Sequence, residues 1–350
     1  MTSVLDSGPA AVRRRLHPVV RLLVGLAVGG AAVWFVVSRA GGVGDAVEAI
    51  GRMKGGFVAV AVAMAVMRLW LYSLQWWWLG RRSGRLGFGT ACAFGLVVFG
   101  FGAVTPASPA EGLAIASREL VRRGRSKRQA HLSIGFSEWF AQRTFYGVAA
   151  VDLIIVVSIG HLTFGEFWPL VIVATVVLVA LAGTAMLARR TASAEGLALI
   201  LGAIRLRRPQ PPVEVQRQAA AGWHGEAMEF IGPPANRVRL ATVSAGAVLA
   251  DAATLWATCH AAGFHIRPDI ALLATTAGTM VSWVPLLPGG LGLVEAVVPA
   301  ILHRFGAPLD GALGATLVYR AAGTVLPAVA GGAAIAALWS HRTTPVEATM

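Results

Sequence analysis

Residues 270–302 read IALLATTAGTMVSWVPLLPGGLGLVEAVVPAIL, an apolar run long enough to cross a bilayer but cut in its middle by Pro285, Pro288, Gly289, Gly290 and Gly292. Proline and clustered glycine cannot continue a regular helix. Each half falls short of the roughly 20 residues that cross a hydrocarbon core of about 30 Å. An irregular backbone at membrane depth leaves N–H and C=O groups unpaired, which is tolerated only inside protein or against a water-filled cavity. The break therefore points inward. A second segment has the same character: residues 88–112, FGTACAFGLVVFGFGAVTPASPAEG, break from Thr105 to Gly112 around Pro106 and Pro109.

The rest of the chain supplies the surroundings that such breaks need. Of 350 residues, 56% are hydrophobic and only 13% charged. A soluble domain carries about a quarter charged residues, so a water-soluble fold is excluded. Apolar stretches run at about 19–37, 57–79, 88–104, 132–159, 168–187, 240–260, 270–287 and 312–339, with a shorter one at 291–302. Arg13, Arg14 and Arg15 precede the first, which is too long for a signal peptide and has no clear small-residue cleavage site, so it reads as a retained span.

Charge sets the topology. The net charge of +13 is carried almost wholly by arginine, since Lys54 and Lys127 are the only lysines. In a membrane protein such residues collect in cytoplasmic loops, and nucleic acid is not the expected partner. Arg81, Arg82 and Arg85 precede the first broken segment, and Arg118, Arg122, Arg123, Arg125, Lys127 and Arg128 follow it. It thus enters and leaves on the cytoplasmic side. The second has only Arg267 and Arg304 at its flanks and enters from the opposite face.

The expected fold is an all-α polytopic membrane domain over 19–340, with about six full transmembrane helices and two oppositely oriented re-entrant hairpins in an inverted repeat. Tails 1–18 and 341–350 are expected in the cytoplasm, and the basic loop 189–239 on the cytoplasmic membrane surface, where arginines can meet anionic head groups. The repeat is visible once the breaks are aligned. Glu111, Gly124 and Arg143 follow the first, and Glu295, Gly306 and Arg320 follow the second.

Ionisable residues inside spans cost at least about 2.5–3.5 kcal/mol at the bilayer centre and usually face the interior. They are Arg68, Glu111, Glu138, Arg143, Asp152, Asp251, Glu295 and Arg320. Arg143 and Arg320 offer bidentate forks to a phosphate, or each pairs with a carboxylate such as Glu111 or Glu295. Those two glutamates follow helix breaks, where a carboxylate caps free N–H groups; the alternative is proton acceptance coupled to transport. Half-helix N-termini at such breaks can face an anionic substrate. The candidate binding set is Arg143, Arg320, Glu111, Glu295, Pro109, Pro288, Gly289, Gly290 and Gly292.

Other features read more plainly. Trp76, Trp77 and Trp78 suggest an interfacial belt, and Gly25 with Gly29 a close-packing pair. Cys92 and Cys259 sit in apolar stretches without metal-ligand spacing, and no cofactor is expected. No hydrolase elbow, zinc-protease or phosphate-loop motif occurs. Asp45 and Glu48 could serve as the acidic pair of a lipid-linked glycosyltransferase, which is the enzyme alternative; a non-transporting lipid-binding scaffold for an envelope enzyme is another.

Pro285 to Glu295, Gly306 and Tyr319-Arg320, together with Thr105-Pro106, Glu111-Gly112, Gly124-x-Ser126 and Arg143, resemble the transmembrane family typified by the flippase region of lysylphosphatidylglycerol synthase. The likeness covers roughly 20–340. Its first block departs from the family's pattern at Gln142 and Tyr146, where acidic residues are expected. It implies translocation of membrane lipids, anionic ones above all, or of lipid-linked intermediates, in a bacterial cell (inner) membrane. It does not imply synthesis: bifunctional members carry a soluble aminoacyl-transfer domain after the membrane part, whereas residues 341–350 are all that follow the last expected span here, so a catalytic partner is expected to be a separate envelope or lipid-modifying enzyme. Lipid identity and oligomeric state are left open.

Overall fold

The structure, a computed structural model, describes residues 48, 50–82, 86–101, 109–159, 234–282 and 290–340. The expected tails, the stretches 19–37 and 168–187, nearly all of the loop 189–239, and the break residues Pro288 and Gly289 lie outside the described residues.

The described chain is helical. Helix α1 spans Gly55–Arg82, and α2 spans Phe88–Gly95 and continues as a π-helical turn, Leu96–Phe101. Beyond the first break come α3, Pro109–Arg122, and α4, Lys127–Ser158. Helix α5 spans Pro234–Ala261 and α6 Pro268–Ser282; past the second break lie α7, Leu293–Arg304, and α8, Leu309–Arg320. A second π-helical turn, Ala321–Val325, joins α8 to α9, Leu326–Ser340.

Among the described residues, four segments are long and apolar enough to cross a membrane: Gly55–Leu79, Phe140–Ser158, Ala235–Ala261 and Leu309–Ala336. Each coincides with an expected span. Large apolar side chains stand exposed along them, among them Val66, Trp70, Ile154, Leu249 and Val329. Such continuous apolar surface suits lipid rather than water.

The shorter helices pack between the long ones. At 1.5 Å per residue, the 15 residues of α6 and the 12 of α7 reach only about 22 and 18 Å. Pro109 opens α3, where its missing N–H and fixed φ cost nothing. Helix α4 starts with Ser126 as cap: its side chain accepts from the Gln129 N–H at 3.1 Å, and the Gln129 side chain accepts from the Ser126 N–H at 3.3 Å. This reciprocal box satisfies two N–H groups that a helix start otherwise leaves open.

The order long, short, break, short, long occurs twice, in α1–α4 and in α5–α9. Each copy has its own apolar core. The first gathers Trp76, Ala91, Phe94, Val98, Ala116, Leu120 and Ile134. The second gathers Leu255, Ala274, Val294, Val298, Leu302, Ala312 and Ala315. Trp76, expected in an interfacial belt, is instead a core residue, 2% exposed and edge-on to Phe94 with ring centroids 6.0 Å apart. The ring packs edge-on in an aromatic contact of the favoured geometry.

Helices α1 and α5 form the main seam between the copies and run antiparallel. The Lys54 N–H before α1 donates to the Ala261 carbonyl at the end of α5, 2.9 Å away. Further along, Arg68 meets Asp251 and Gln75 accepts from the Ser244 hydroxyl at 2.9 Å. The Gln75 amide in turn donates to the Ser137 carbonyl at 2.7 Å, so the end of α1 lies beside the first half of α4.

The two short-helix pairs open at opposite ends of this frame. Arg123, after α3, donates to Thr90 at the start of α2, 3.1 Å away, which closes the mouth of that pair near the end of α1. At the other end, Ile270 from the start of α6 packs with Ile301 and Phe305 from the end of α7, against Val156 near the end of α4.

Candidate functional site

The second break begins its return at Gly290 and Gly292, with φ of 66° and 85°. Side chains rarely adopt this left-handed region, and a Cβ on Gly290 would also lie 2.5 Å from the Ser282 Cα. These two residues bring the chain back against the end of α6 and start α7. The first carboxylate of that helix, Glu295, folds back so that its Oε2 accepts from the Gly292 N–H at 2.6 Å. Its Oε1 accepts from Arg320 Nε at 2.9 Å. Glu295 is buried, 6% exposed, and both its oxygens are engaged. It therefore caps a half-helix and neutralises an arginine at once, and it occupies the place at the positive end of α7 where an external anion could sit.

Arg320 closes α8 and also donates through Nη1 to the Thr324 hydroxyl at 3.2 Å, in the π-helical turn. A second buried ion pair lies alongside. Arg68 Nη1 donates to Asp251 Oδ1 at 2.5 Å, Arg68 Nη2 to the Gly323 carbonyl at 2.7 Å, and the Tyr319 hydroxyl to Asp251 Oδ2 at 3.2 Å. The π-helical turn frees carbonyls from the ordinary i to i−4 ladder, and Arg68 takes one of them.

Arg68, Asp251 and Arg320 line one cavity of about 190 Å³, with Glu295 behind Arg320; it is bounded by α1, α2 and its π-helical turn, α4, α5, α6, α7, α8 and the second π-helical turn. Its polar wall comprises Arg68, Tyr72, Glu138, Gln142, Asp251, Thr275, Thr279, Ser282, Tyr319, Arg320 and Thr324. Among the described residues, three buried atoms there have no hydrogen-bond partner: the donor Arg68 Nε and the acceptors Glu138 Oε1 and Gln142 Oε1. Unmet polar atoms in a protein interior are costly, and their presence around one cavity makes it the candidate binding site.

The expected arginine pair is not brought together. Arg320 lines the cavity, whereas Arg143 lines a separate groove of about 890 Å³ between α4 and α5, with Asp152, Arg237 and apolar residues including Val148, Ile155 and Leu249. Helix geometry explains the difference. Successive residues turn by about 100°, so Glu138, Gln142 and Phe145 share the cavity face while Arg143 is carried round to the groove. Asp152 is buried there, 1% exposed, with neither oxygen hydrogen-bonded.

Of the other expected residues, Glu111 lies in the first turn of α3, and Pro109 opens that helix. Glu48 is exposed and pairs with Arg52 one turn on, away from the cavity; Asp45 lies outside the described residues. No cluster of three metal-ligating side chains occurs among the described residues.

Arg68, Glu138 and Asp251 stand out in the sequence as charges inside spans, yet nothing local assigns them to one site. The signal that could have done so is depth: in antiparallel helices, Arg68 and Asp251 fall at matching heights. Tyr319 and Gln142 carry no such mark, because a tyrosine or glutamine in an apolar helix reads as packing.

No curated protein matches the chain as a relative. Residues 22–331 match the family model described as the lysylphosphatidylglycerol synthase TM region. With most of its length covered and its helices packed as a multi-pass membrane domain, the chain belongs to the lysylphosphatidylglycerol synthase TM region family.

Proposed function

We propose that this membrane protein is a flippase-like transporter that moves an anionic phospholipid, or a lipid-linked intermediate, between leaflets while its acyl chains stay in the bilayer. The observation that carries the reading is the central cavity, where two arginines, each held by a protein carboxylate, face the same polar space between two short-helix pairs that open at opposite ends. An incoming phosphate competes with Asp251 and Glu295 for the guanidinium groups. Arg68 Nε, buried and without a partner, is a donor available to it.

In a membrane this arrangement is read as six full spans with two re-entrant hairpins in an inverted repeat, both termini cytoplasmic, in a bacterial inner membrane. Arg122, Arg123, Arg125 and Lys127 at one mouth, against Arg267 and Arg304 at the other, support that orientation. The chain binds and moves lipid rather than making it, so any headgroup chemistry belongs to a separate envelope or lipid-modifying enzyme.

The test is reconstitution of the full chain in vesicles containing a headgroup-labelled anionic phospholipid. Label initially shielded in the inner leaflet should become accessible to a membrane-impermeant quencher faster than in empty vesicles. Arg320→Ala and Arg68→Ala should slow this about tenfold or more, the loss expected for a charge-assisted hydrogen bond of about 1.5–3 kcal/mol. Transport is rejected if the label, across several anionic lipids, moves no faster than in protein-free vesicles. Lipid retained by the protein without movement would favour the scaffold reading.

A further inference from the structure

The charges around the cavity do not balance as an anion site requires. Arg68 faces Asp251 and Arg320 faces Glu295, so each cation already has its anion. Among the described residues, Glu138 is the remaining carboxylate on the cavity wall, and its Oε1 is buried with no donor. One helical turn on, Gln142 Oε1 is a second buried acceptor without a donor. Residues four apart on a helix are neighbours at about 5–6 Å between Cβ atoms. Both acceptors lack a donor, and a single proton on Glu138 supplies one. The neutral carboxyl then has an O–H to donate, and Gln142 Oε1 lies on the same face to accept it.

Among the described residues, the groups that face Glu138 from the packed helices give no other source of neutralisation. Helix α1 contributes Arg68 and Tyr72, α5 contributes Asp251, and α8 contributes Tyr319 and Arg320, with Glu295 of α7 behind the latter. Helix α2 presents only apolar side chains to the cavity and α6 presents hydroxyls and no titratable group. An anionic headgroup entering this space with Glu138 ionised would bring two uncompensated negative charges together in a low-dielectric interior. With Glu138 protonated, one remains, and two guanidinium groups are there to share it.

We propose that Glu138 is a proton-binding site, and that the cavity takes up one proton from solution with each anionic headgroup it binds. The inference rests on the lipid reading above and names its coupling ion. It predicts that a proton gradient drives lipid movement, because headgroup and proton occupy the site together. Glu295, expected from sequence as a candidate proton acceptor, is unsuited to that role, since both of its oxygens already accept.

The experiment is calorimetric titration of the detergent-solubilised full chain with short-chain phosphatidylglycerol, at several pH values and in buffers of different ionisation enthalpy. The wild type should take up about one proton per lipid, and its affinity should fall by up to about tenfold per pH unit on the alkaline side, as single-proton linkage requires. Glu138→Gln should bind without proton uptake and with a flat pH profile, while Glu138→Asp should retain both signatures. Binding by the wild type without proton uptake, or a Glu138→Gln variant that keeps the uptake, overturns the proton site alone. Absence of binding in every buffer overturns the lipid reading with it. Should Glu138→Gln fail to fold, the buffer dependence of the wild type decides.

Discussion

Arg68 and Asp251 illustrate what a lone sequence can and cannot say about a charge. Both are conspicuous within apolar runs, where an ionised side chain is expensive, so their inward orientation follows from the residue type alone. Which carboxylate serves which arginine does not. The pair is set by the height at which α1 and α5 cross, a tertiary quantity. With side chains 15% and 12% exposed, the pair is largely desolvated. Removing one member of such a pair leaves the other charge stranded, at a cost of about 3–5 kcal/mol, whereas replacing both with apolar residues of similar volume is often neutral. Asp251→Ala and Arg68→Ala should therefore each lower the denaturation midpoint of the purified protein strongly. The double variant Arg68→Met with Asp251→Leu should recover most of the loss. Additive losses in the double variant would mean that the two side chains act independently. Glu295 behaves differently: its capping role was legible, because a carboxylate three residues past a glycine break has free N–H groups beside it, and a pairing with Arg320 was one of two uses open to that arginine, which the packing of α7 against α8 then selects.

At the scale of the element, the breaks were the legible part, since proline and clustered glycine have a local physical meaning. The rotation of each helix about its axis was less so. Arg143 and Gln142 are adjacent in sequence and face different spaces, and only the packing of α4 against α5 and α6 decides which of them meets the cavity. The π-helical turns were not legible at all, because nothing in LVVFGF or AAGTV distinguishes them from ordinary helix. Their reason is contact. Gly100, in the first π-helical turn, lies so close to α9 that a Cβ there would overlap the Pro327 carbonyl, while Gly89 of the same rod faces open space. Gly100→Ala should thus cost about 1–3 kcal/mol through overpacking. Gly89→Ala should be neutral or stabilising by up to about 1 kcal/mol, as expected at an unconstrained helical glycine. Thermal unfolding of both variants in one detergent tests this, and equal midpoints would remove the close approach of the π-helical turn to α9 as a packing constraint.

For the whole molecule, the two halves are joined along α1 and α5, and that seam makes a definite claim about sides. Lys54 at the start of α1 and the 262–267 turn after α5 lie at one end of the frame, and the turn after α3 lies at the other. The claim is independent of any charge rule, so it can be set against the orientation inferred from arginine distribution. Single cysteines at Lys54, His265 and Arg122 sample the two ends, none of the three positions being buried. They are to be introduced after replacing Cys92 and Cys259, of which Cys259 is buried. An impermeant maleimide applied to right-side-out vesicles should label Lys54→Cys and His265→Cys and leave Arg122→Cys untouched, with the reverse in inverted vesicles. In the proposed orientation, the arginine excess at the Arg122 end puts that end on the cytoplasmic side. If Lys54→Cys and His265→Cys react from opposite faces, α1 and α5 do not run antiparallel, and the cavity at their crossing loses its frame. If they react together but from the face opposite to that expected, the fold stands and the direction of the molecule in the membrane is reversed.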